Sequence, residues 1–94
     1  MSDVHPILCI PRMDNSITKK YIFDKIKLLK WGLISKIIEI PLKNEVDKKR
    51  IIINLKWNNN ENTNIYKNKL LNNETIQLVH NSNEPFYWRI SKFK

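Results

Sequence analysis

The sequence predicts an α+β fold in which two helices cover one face of a four-stranded antiparallel sheet. Two observations support this prediction. Apolar segments with strand or helix spacing follow one another in the order strand, helix, strand, strand, helix, strand, and the chain has 94 residues. A chain of this length buries roughly 60–65% of its unfolded surface, which is enough for one modest core. We therefore expect a single domain over residues 1–94.

The first part of the chain predicts a strand followed by a helix. Residues 7–11 (ILCIP) form a short apolar run closed by a proline, which is typical of a strand. In segment 17–30, apolar residues recur at the i, i+4, i+5, i+9 and i+12 positions of one helical face, after the capping side chains of residues 14–16. Gly32 is expected to end this helix, because glycine adopts a left-handed backbone at least cost.

Two further strands are predicted in the middle of the chain. Segment 34–42 (ISKIIEIPL) is rich in β-branched residues, but its facing is ambiguous, because Ile38 and Ile40 share one parity and Ile37 has the other. Segment 50–57 (RIIINLKW) alternates more clearly and is the strongest strand. One of its faces carries Ile51, Ile53, Leu55 and Trp57, and the other carries Arg50, Ile52, Asn54 and Lys56.

The last part of the chain predicts a shorter helix and a closing strand. The helix begins after Thr63 or Asn64 and ends at the asparagine pair 72–73, since asparagine tolerates positive φ best after glycine. Segment 75–79 (TIQLV) is predicted as a small extra strand, and segment 86–93 as the last strand. This order is that of the ferredoxin-like split βαβ arrangement (βαββαβ), which places both helices on one side of the sheet. The other sheet face stays open, and we expect function there.

The composition excludes several classes of protein. Cys9 is the only cysteine, and His5 and His80 lie far apart, so we expect neither a disulfide nor a metal site. No apolar run approaches the length of a transmembrane helix, and residues 1–6 lack the pattern of a signal peptide. Gly32 is the sole glycine, which excludes a glycine-rich phosphate loop. We expect a protein that is not an enzyme, needs no cofactor, does not bind membranes and is not secreted.

The charge of the chain indicates an anionic partner. Lys and Arg together number 17 against nine Asp and Glu, which gives a formal net charge of +8. Such an excess bears on association and not on fold.

The predicted order of elements resembles the RNA-recognition motif (RRM) over nearly the whole chain. Residues 8–13 (LCIPRM) stand where that family has its hexamer motif, and residues 48–55 (KKRIIINL) stand where it has its octamer. Residues 32–34 (GLI) look like the G-x-I start of the family's second strand, and residues 74–79 look like its extension before the last strand. The resemblance implies a module that binds RNA or single-stranded DNA.

A narrower resemblance concerns the end of the chain. Trp57 together with residues 85–91 (PFYWRIS) is similar to small RRM-like proteins of nucleocytoplasmic large DNA viruses, the giant viruses. This resemblance implies a viral protein located in the host cytoplasm, the host nucleus or the virion interior.

The departures from the RRM pattern concern its base-stacking positions. A typical RRM stacks bases on aromatic side chains at one hexamer and two octamer positions. The matching residues here are Cys9, Arg50 and Ile52, and the octamer's glycine is Lys49. Because base stacking is worth roughly 1–3 kcal/mol per base, we expect weaker binding that depends mainly on charge.

We predict that nucleic acid binds on the open sheet face. Arginine stacks on bases and forks onto phosphate, and Tyr87 can replace one missing platform. Ile7 and Ser91 share this face, and Lys94 can extend it. The predicted site residues are Cys9, Arg50, Ile52, Asn54, Tyr87, Arg89 and Lys92.

Other interpretations of the same residues remain open. Ile7 and Ile52 also suit a protein–protein docking module or a small subunit of a viral assembly. A sheet face that binds no ligand is a third interpretation, behind these two. Trp31 and Trp57 are either interface anchors or core residues, whereas the parity of Trp88 with Ile90 favours the core. The lysines outside the sheet face either attract phosphate or are only solvated: Lys19, Lys20, Lys27, Lys30, Lys48 and Lys49.

Overall fold

Five strands and two helices make up the protein in a computed structural model, which describes residues 6–79 and 87–93. In chain order these elements are β1 (Leu8–Asp14), α1 (Lys19–Leu28), β2 (Gly32–Pro41), β3 (Lys48–Trp57), α2 (Glu61–Leu71), β4 (Ile76–Val79) and β5 (Tyr87–Lys92).

The sheet has five strands in the order β2-β3-β1-β5-β4, and every neighbouring pair is antiparallel. The predicted α+β class is right, but the four-stranded ferredoxin-like arrangement is wrong. Segment 75–79 contributes a full edge strand, because Ile76 and Leu78 pack against the core and their strand pairs with β5 over four residues. A four-residue segment carries too little periodicity to predict such a pairing.

The core lies between the two helices and one face of the sheet. Ile22 and Ile26 of α1 and Leu70 of α2 belong to one buried cluster with the strands. The strand members of that cluster are Leu8, Ile10, Met13, Ile51, Ile53, Leu55, Trp57, Trp88 and Ile90. Both helices therefore cover the same sheet face, and the alternating residues point to the opposite face.

Two irregularities in the sheet change which residues face the core. In β1 the pairing with β3 shifts between Ile10 and Met13, which accommodates Pro11, a residue that cannot donate a backbone hydrogen bond. The first strand therefore continues to Asp14 instead of ending at the proline. In β2 the register shifts between Ile34 and Lys36, so that one residue is inserted and the parity of the strand changes.

The parity change in β2 explains why its facing was ambiguous in the sequence. Ile34, before the shift, and Ile37, after it, both pack against the core. Ile38 and Ile40 consequently lie on the opposite face, where their Cα partners on β3 are Ile52 and Arg50.

The helix ends use other residues than the sequence predicted. Thr18 caps α1, and its hydroxyl accepts a hydrogen bond from the N–H of Tyr21 (3.2 Å). Asn60 caps α2, three or four residues before the predicted cap at Thr63 or Asn64, and its side-chain oxygen accepts from the N–H of Thr63 (2.8 Å). The prediction that asparagine with positive φ follows α2 is confirmed at Asn73 (φ 64°).

Gly32 has a different role from the one predicted. The left-handed residue after α1 is Lys30 (φ 57°), and the φ of Gly32 is not positive. Glycine is needed at this position because β2 approaches β3 closely there. A β-carbon on residue 32 would collide with the carbonyl oxygen of Lys56 and lie 2.8 Å from its carbonyl carbon and 2.9 Å from the Cα of Trp57.

A buried ion pair joins β2, β3 and the segment before α1. Lys49 is only 4% exposed, and its ammonium donates to the carboxylate of Glu39 and to the backbone carbonyl of Ile17. The Cα partner of Lys49 on β2 is Pro41. Glu39 lies two residues before Pro41 and therefore on the same face of β2. A buried ammonium is tolerated only with such partners, because desolvation of an unpaired charge is costly.

Replacing Gly32 by alanine is expected to lower the free energy of unfolding by about 2–3 kcal/mol, because the new methyl group forces backbone atoms of β2 and β3 apart. Urea unfolding followed by circular dichroism measures this loss. Leu33→Ala is the matched control, since Leu33 is 72% exposed, and it should change stability by less than about 0.5 kcal/mol. Equal losses for the two variants would contradict the close approach.

Glu39→Ala is expected to lower the free energy of unfolding by about 2 kcal/mol, because it leaves the Lys49 ammonium buried with only one carbonyl acceptor. Lys49→Met should cost less, since it removes the buried charge and keeps an apolar stem of similar length. The same urea experiment ranks the two variants, and a larger loss for Lys49→Met would refute this account of the pair.

Candidate nucleic-acid interface

The face of the sheet opposite the helices carries a distinct set of residues, which we call the open sheet face. Cross-strand pairing places Ile52 opposite both Cys9 and Ile38, and Cys9 opposite Ser91. The N–H of Phe93 donates to the carbonyl of Ile7 (2.7 Å), which continues the same alignment by one more pair. Extended over all strand pairs, this alignment defines the open sheet face as Ile7, Cys9, Pro11, Leu33, Lys36, Ile38, Ile40, Arg50, Ile52, Asn54, Lys56, Gln77, Arg89, Ser91 and Phe93.

Four exposed cations lie on the open sheet face. Arg50 and Arg89 are exposed, as is Lys56, which the sequence placed on the same strand face as Arg50, and the structure adds Lys36. Lys36 lies opposite Asn54 on β3, and Lys56 lies opposite Leu33 on β2. Within residues 6–79 and 87–93, none of the four forms an ion pair.

Carboxylates are nearly absent from this face in the described strands. Asp14, at its rim, is the exception, and it lies 3.8 Å from the ammonium of Lys48. Hydrogen bonds from the backbone N–H (2.9 Å) and hydroxyl (2.7 Å) of Ser16, the former contributing most, hold the pKa of Asp14 below its usual value. The four cations are therefore left without neighbouring carboxylates of the described strands that would neutralise them.

The centre of the open sheet face is apolar. Cys9 and Ile52 are each 7% exposed, although they point away from the main core. Ile40 (39%) and Phe93 (40%) are partly accessible beside them. The face therefore combines an apolar floor with cations around it, which differs from a sheet surface that is simply solvated.

A hollow of about 390 Å³ opens on this face near β1 and β5. Cys9 and Pro11 belong to its lining, and the side chains of Arg50 and Phe93 border it. Its remaining lining residues are Asn73, Ser91 and Lys92. A guanidinium and a phenyl ring beside one hollow are the two kinds of group on which an unpaired base stacks.

Phe93 is an aromatic functional candidate that the sequence prediction did not include. The predicted last strand placed Arg89 and Ser91 on the open face, and one further step of the same alternation reaches Phe93. The signal was therefore present in the sequence, but at the end of a strand, where boundaries are least certain.

The predicted site residues differ in their exposure and in their position relative to the hollow. Arg50 and Arg89 are exposed, Asn54 is half-buried, and Cys9 and Ile52 form the apolar floor. Lys92 is half-buried beside the hollow, and its Cα partner is the core residue Leu8. The side chain of Tyr87 and the residues His5, His80 and Lys94 lie outside the described part of the chain.

Several basic residues outside the open sheet face are already engaged. Lys49 is in the buried pair with Glu39, and Arg12 lies 2.6 Å from the carboxylate of Glu45. On α1, Lys25 and Lys27 lie over the aromatic rings of Tyr21 and Phe23, at 5.4 and 5.9 Å from the ring centroids. For Lys49 neither of the two open interpretations holds, because its ammonium is buried and is neither solvated nor accessible to phosphate.

The three tryptophans are core residues. Trp31 stacks on Trp57 with ring centroids 5.6 Å apart, and the indole N–H of Trp57 donates to the carbonyl of Pro6 (2.9 Å). Tyr66 covers Trp31 at 5.1 Å beside a second hollow of about 510 Å³ between the helix ends. Because Trp31, Trp57 and Trp88 are all buried, they are not interface anchors.

Residues 6–79 and 87–93 contain neither a candidate membrane-spanning helix nor a candidate metal-binding cluster. No helix in these ranges is long and apolar enough to cross a membrane. No group of three or more His, Cys, Asp or Glu side chains in the same ranges is placed to hold a metal ion.

Comparison with known proteins finds no protein family, no curated protein and no solved structure that matches this chain. The resemblance to RNA-recognition motifs and to proteins of giant viruses therefore stays a prediction.

The reactivity of the Cys9 thiol tests whether the floor of the hollow is buried. Burial raises the pKa of its thiol, while the nearby charge of Arg50 and a hydrogen bond with Ser91 act in the opposite direction. We expect iodoacetamide to alkylate Cys9 at least about tenfold more slowly in the folded protein than in urea, because both access and thiolate fraction are reduced. Mass spectrometry follows the reaction, and equal rates in the two states would show that Cys9 is not buried in this floor.

Proposed function

We propose that this protein binds single-stranded nucleic acid, either RNA or single-stranded DNA, through the open sheet face. The observation that carries the proposal is the group of four exposed cations on this face, one of which, Arg50, borders the hollow together with Phe93. Cations neutralise the phosphate backbone, while a hollow bordered by an aromatic ring and a guanidinium can take the face of a base. A protein of this kind fits the cytoplasm or nucleus of a host cell or the interior of a virion.

The apolar part of the face favours single strands over duplexes. In a duplex the faces of the bases are stacked on one another, so that only the phosphates are available to Arg50, Arg89, Lys36 and Lys56. A single strand offers both its phosphates and its unstacked bases, and it can therefore use the hollow as well as the cations.

The same arrangement sets the expected strength of binding. Phe93 is an accessible aromatic side chain beside the hollow, whereas a typical RRM offers several stacking platforms. Binding should therefore be weak and dominated by charge. If all four cations contact phosphate, the logarithm of the binding constant should fall with the logarithm of salt concentration with a slope of about −3.

A second candidate function is docking of another protein. Leu33 (72% exposed) and Ile40 lie on the open sheet face and have no role in contacts with phosphate. Purification of a stoichiometric protein partner that resists nuclease treatment would favour this function. The charge on the face is what makes nucleic acid the first candidate.

The double substitution Arg50→Ala with Arg89→Ala is expected to weaken binding of a fluorescent single-stranded oligonucleotide by about 10- to 30-fold, because each arginine contributes roughly 1 kcal/mol of contacts to phosphate or base. Phe93→Ala should weaken it by about 5-fold or more through the loss of one stacking surface. Fluorescence anisotropy at about 50 mM salt, where electrostatic binding is strong, measures these changes.

Lys19→Ala with Lys20→Ala is the matched control, because it also removes two positive charges, but from α1 on the other side of the sheet. An equal loss of affinity in this control would move the site to the helix. Undetectable binding of the unmodified protein at about 50 mM salt would refute the proposal.

A further inference from the structure

The outer edge of β2 is unpaired in the described part of the chain. β2 is the end strand of the sheet and is ten residues long, whereas β4, at the other end, has four residues. An end strand presents free backbone N–H and C=O groups, which are a template for pairing with another strand.

The hydrogen bonds between β2 and β3 show which groups point outward. The N–H of Leu42 donates to the carbonyl of Lys48 (3.2 Å), so that Leu42 is a hydrogen-bonded position. Since such positions alternate, Ile40, Ile38 and Lys36 also bond to β3, and Ile37 and Glu39 direct their backbone groups away from it.

The free part of this edge has defined ends. Pro41 is the next outward position, but it has no N–H to donate. At the other end, the register shift between Ile34 and Lys36 interrupts the regular strand. Ile37 and Glu39 therefore supply the two regular outward donors and their carbonyls.

These donors and acceptors are self-complementary about Ile38. When two copies of β2 pair antiparallel around a two-fold axis at Ile38, Ile37 of each copy lies opposite Glu39 of the other, and about four backbone hydrogen bonds form. An axis at Glu39 would instead bring two glutamates together and place Ile37 against Pro41. An axis at Ile37 would set Glu39 against Ser35, within the register shift.

The side chains agree with the register centred on Ile38. On the open sheet face, Ile38 meets Ile38 of the second copy, and Ile40 lies opposite Lys36 of the second copy. Every directly opposed pair between residues 36 and 40 is thus free of like charges, which would destabilise a cross-strand contact.

We propose that β2 is a self-association edge, at which two copies of this chain pair antiparallel about Ile38 and join their sheets into one continuous sheet. The open sheet faces of the two copies then lie side by side on the same surface. The contact involves five residues from each copy, far fewer than the roughly 20–30 residues a side of a stable interface, so that the dimer is reversible and depends on protein concentration. The inference is independent of the proposed nucleic-acid binding.

Cross-linking at the axis tests the register directly. In the proposed dimer the two Ile38 Cα atoms are about 4.5 Å apart, as in other non-hydrogen-bonded antiparallel pairs, and this separation permits a disulfide. We expect Ile38→Cys to form a covalent dimer under mild oxidation, seen as a doubled mass on a non-reducing gel. The protein is used at high concentration without nucleic acid.

Leu33→Cys is the matched control for this experiment, since residue 33 is exposed on the same strand. In the proposed dimer the two residues at position 33 are about 33 Å apart, ten strand positions at 3.3 Å each, and cannot be bridged. Equal cross-linking of both variants, or none by Ile38→Cys, would overturn the proposed register.

Sedimentation equilibrium with charge variants gives a second readout that needs no cysteine. Ile40→Glu should strengthen the dimer, because the new carboxylate faces Lys36 of the second copy, and Ile40→Lys should weaken it through like-charge repulsion. Ile40 is 39% exposed, but its Cα partner on β3 is Arg50, so circular dichroism is used first to verify that both variants are folded. Identical dissociation constants for the two variants, or a protein that stays monomeric throughout, would refute the proposal.

Discussion

The antiparallel pairing of β3 with β1 and β2 is the constraint on which the rest of the structure depends. β3 lies between these strands, and its pleat sends Ile51 and Ile53 into the core and Arg50 and Ile52 to the opposite face. A shift of one residue in this register would exchange the two sets. Core formation and the position of the candidate site are therefore decided by the same hydrogen bonds, and neither can change without the other.

The two register shifts let the neighbouring strands adapt to β3. In β1 the irregularity accommodates Pro11, and in β2 it restores an apolar residue to the core on each side of Ser35. The same shift in β2 turns Lys36 toward the open sheet face and limits the regular outer edge of the strand. One inserted residue thus shapes the core, the charged face and the edge at the same time.

The positive charge of the chain is divided between structural and accessible groups. Lys49 stabilises the joint between β2, β3 and the segment before α1, and Lys48 and Arg12 lie beside carboxylates near the same end of the sheet. Arg50 and Arg89, in contrast, surround an apolar floor without ion-pair partners among the described residues. The net charge of +8 is therefore a poorer guide to function than the placement of a few cations.

The sequence alone determined the features that depend on local periodicity. It predicted the α+β class, the helix around Ile22 and Ile26, the parity of β3 and the exposure of Arg50 and Arg89, because hydrophobic spacing within one segment reports which side of that segment is buried. Only the tertiary structure decided that the predicted extra strand pairs with β5 as a fifth strand of the sheet and that Gly32 is required by the approach of β3. It also decided that Lys49 is buried and that Phe93 borders the hollow. Each of these depends on contact between segments far apart in the chain, and the spacing of residues within one segment carries no record of such contacts.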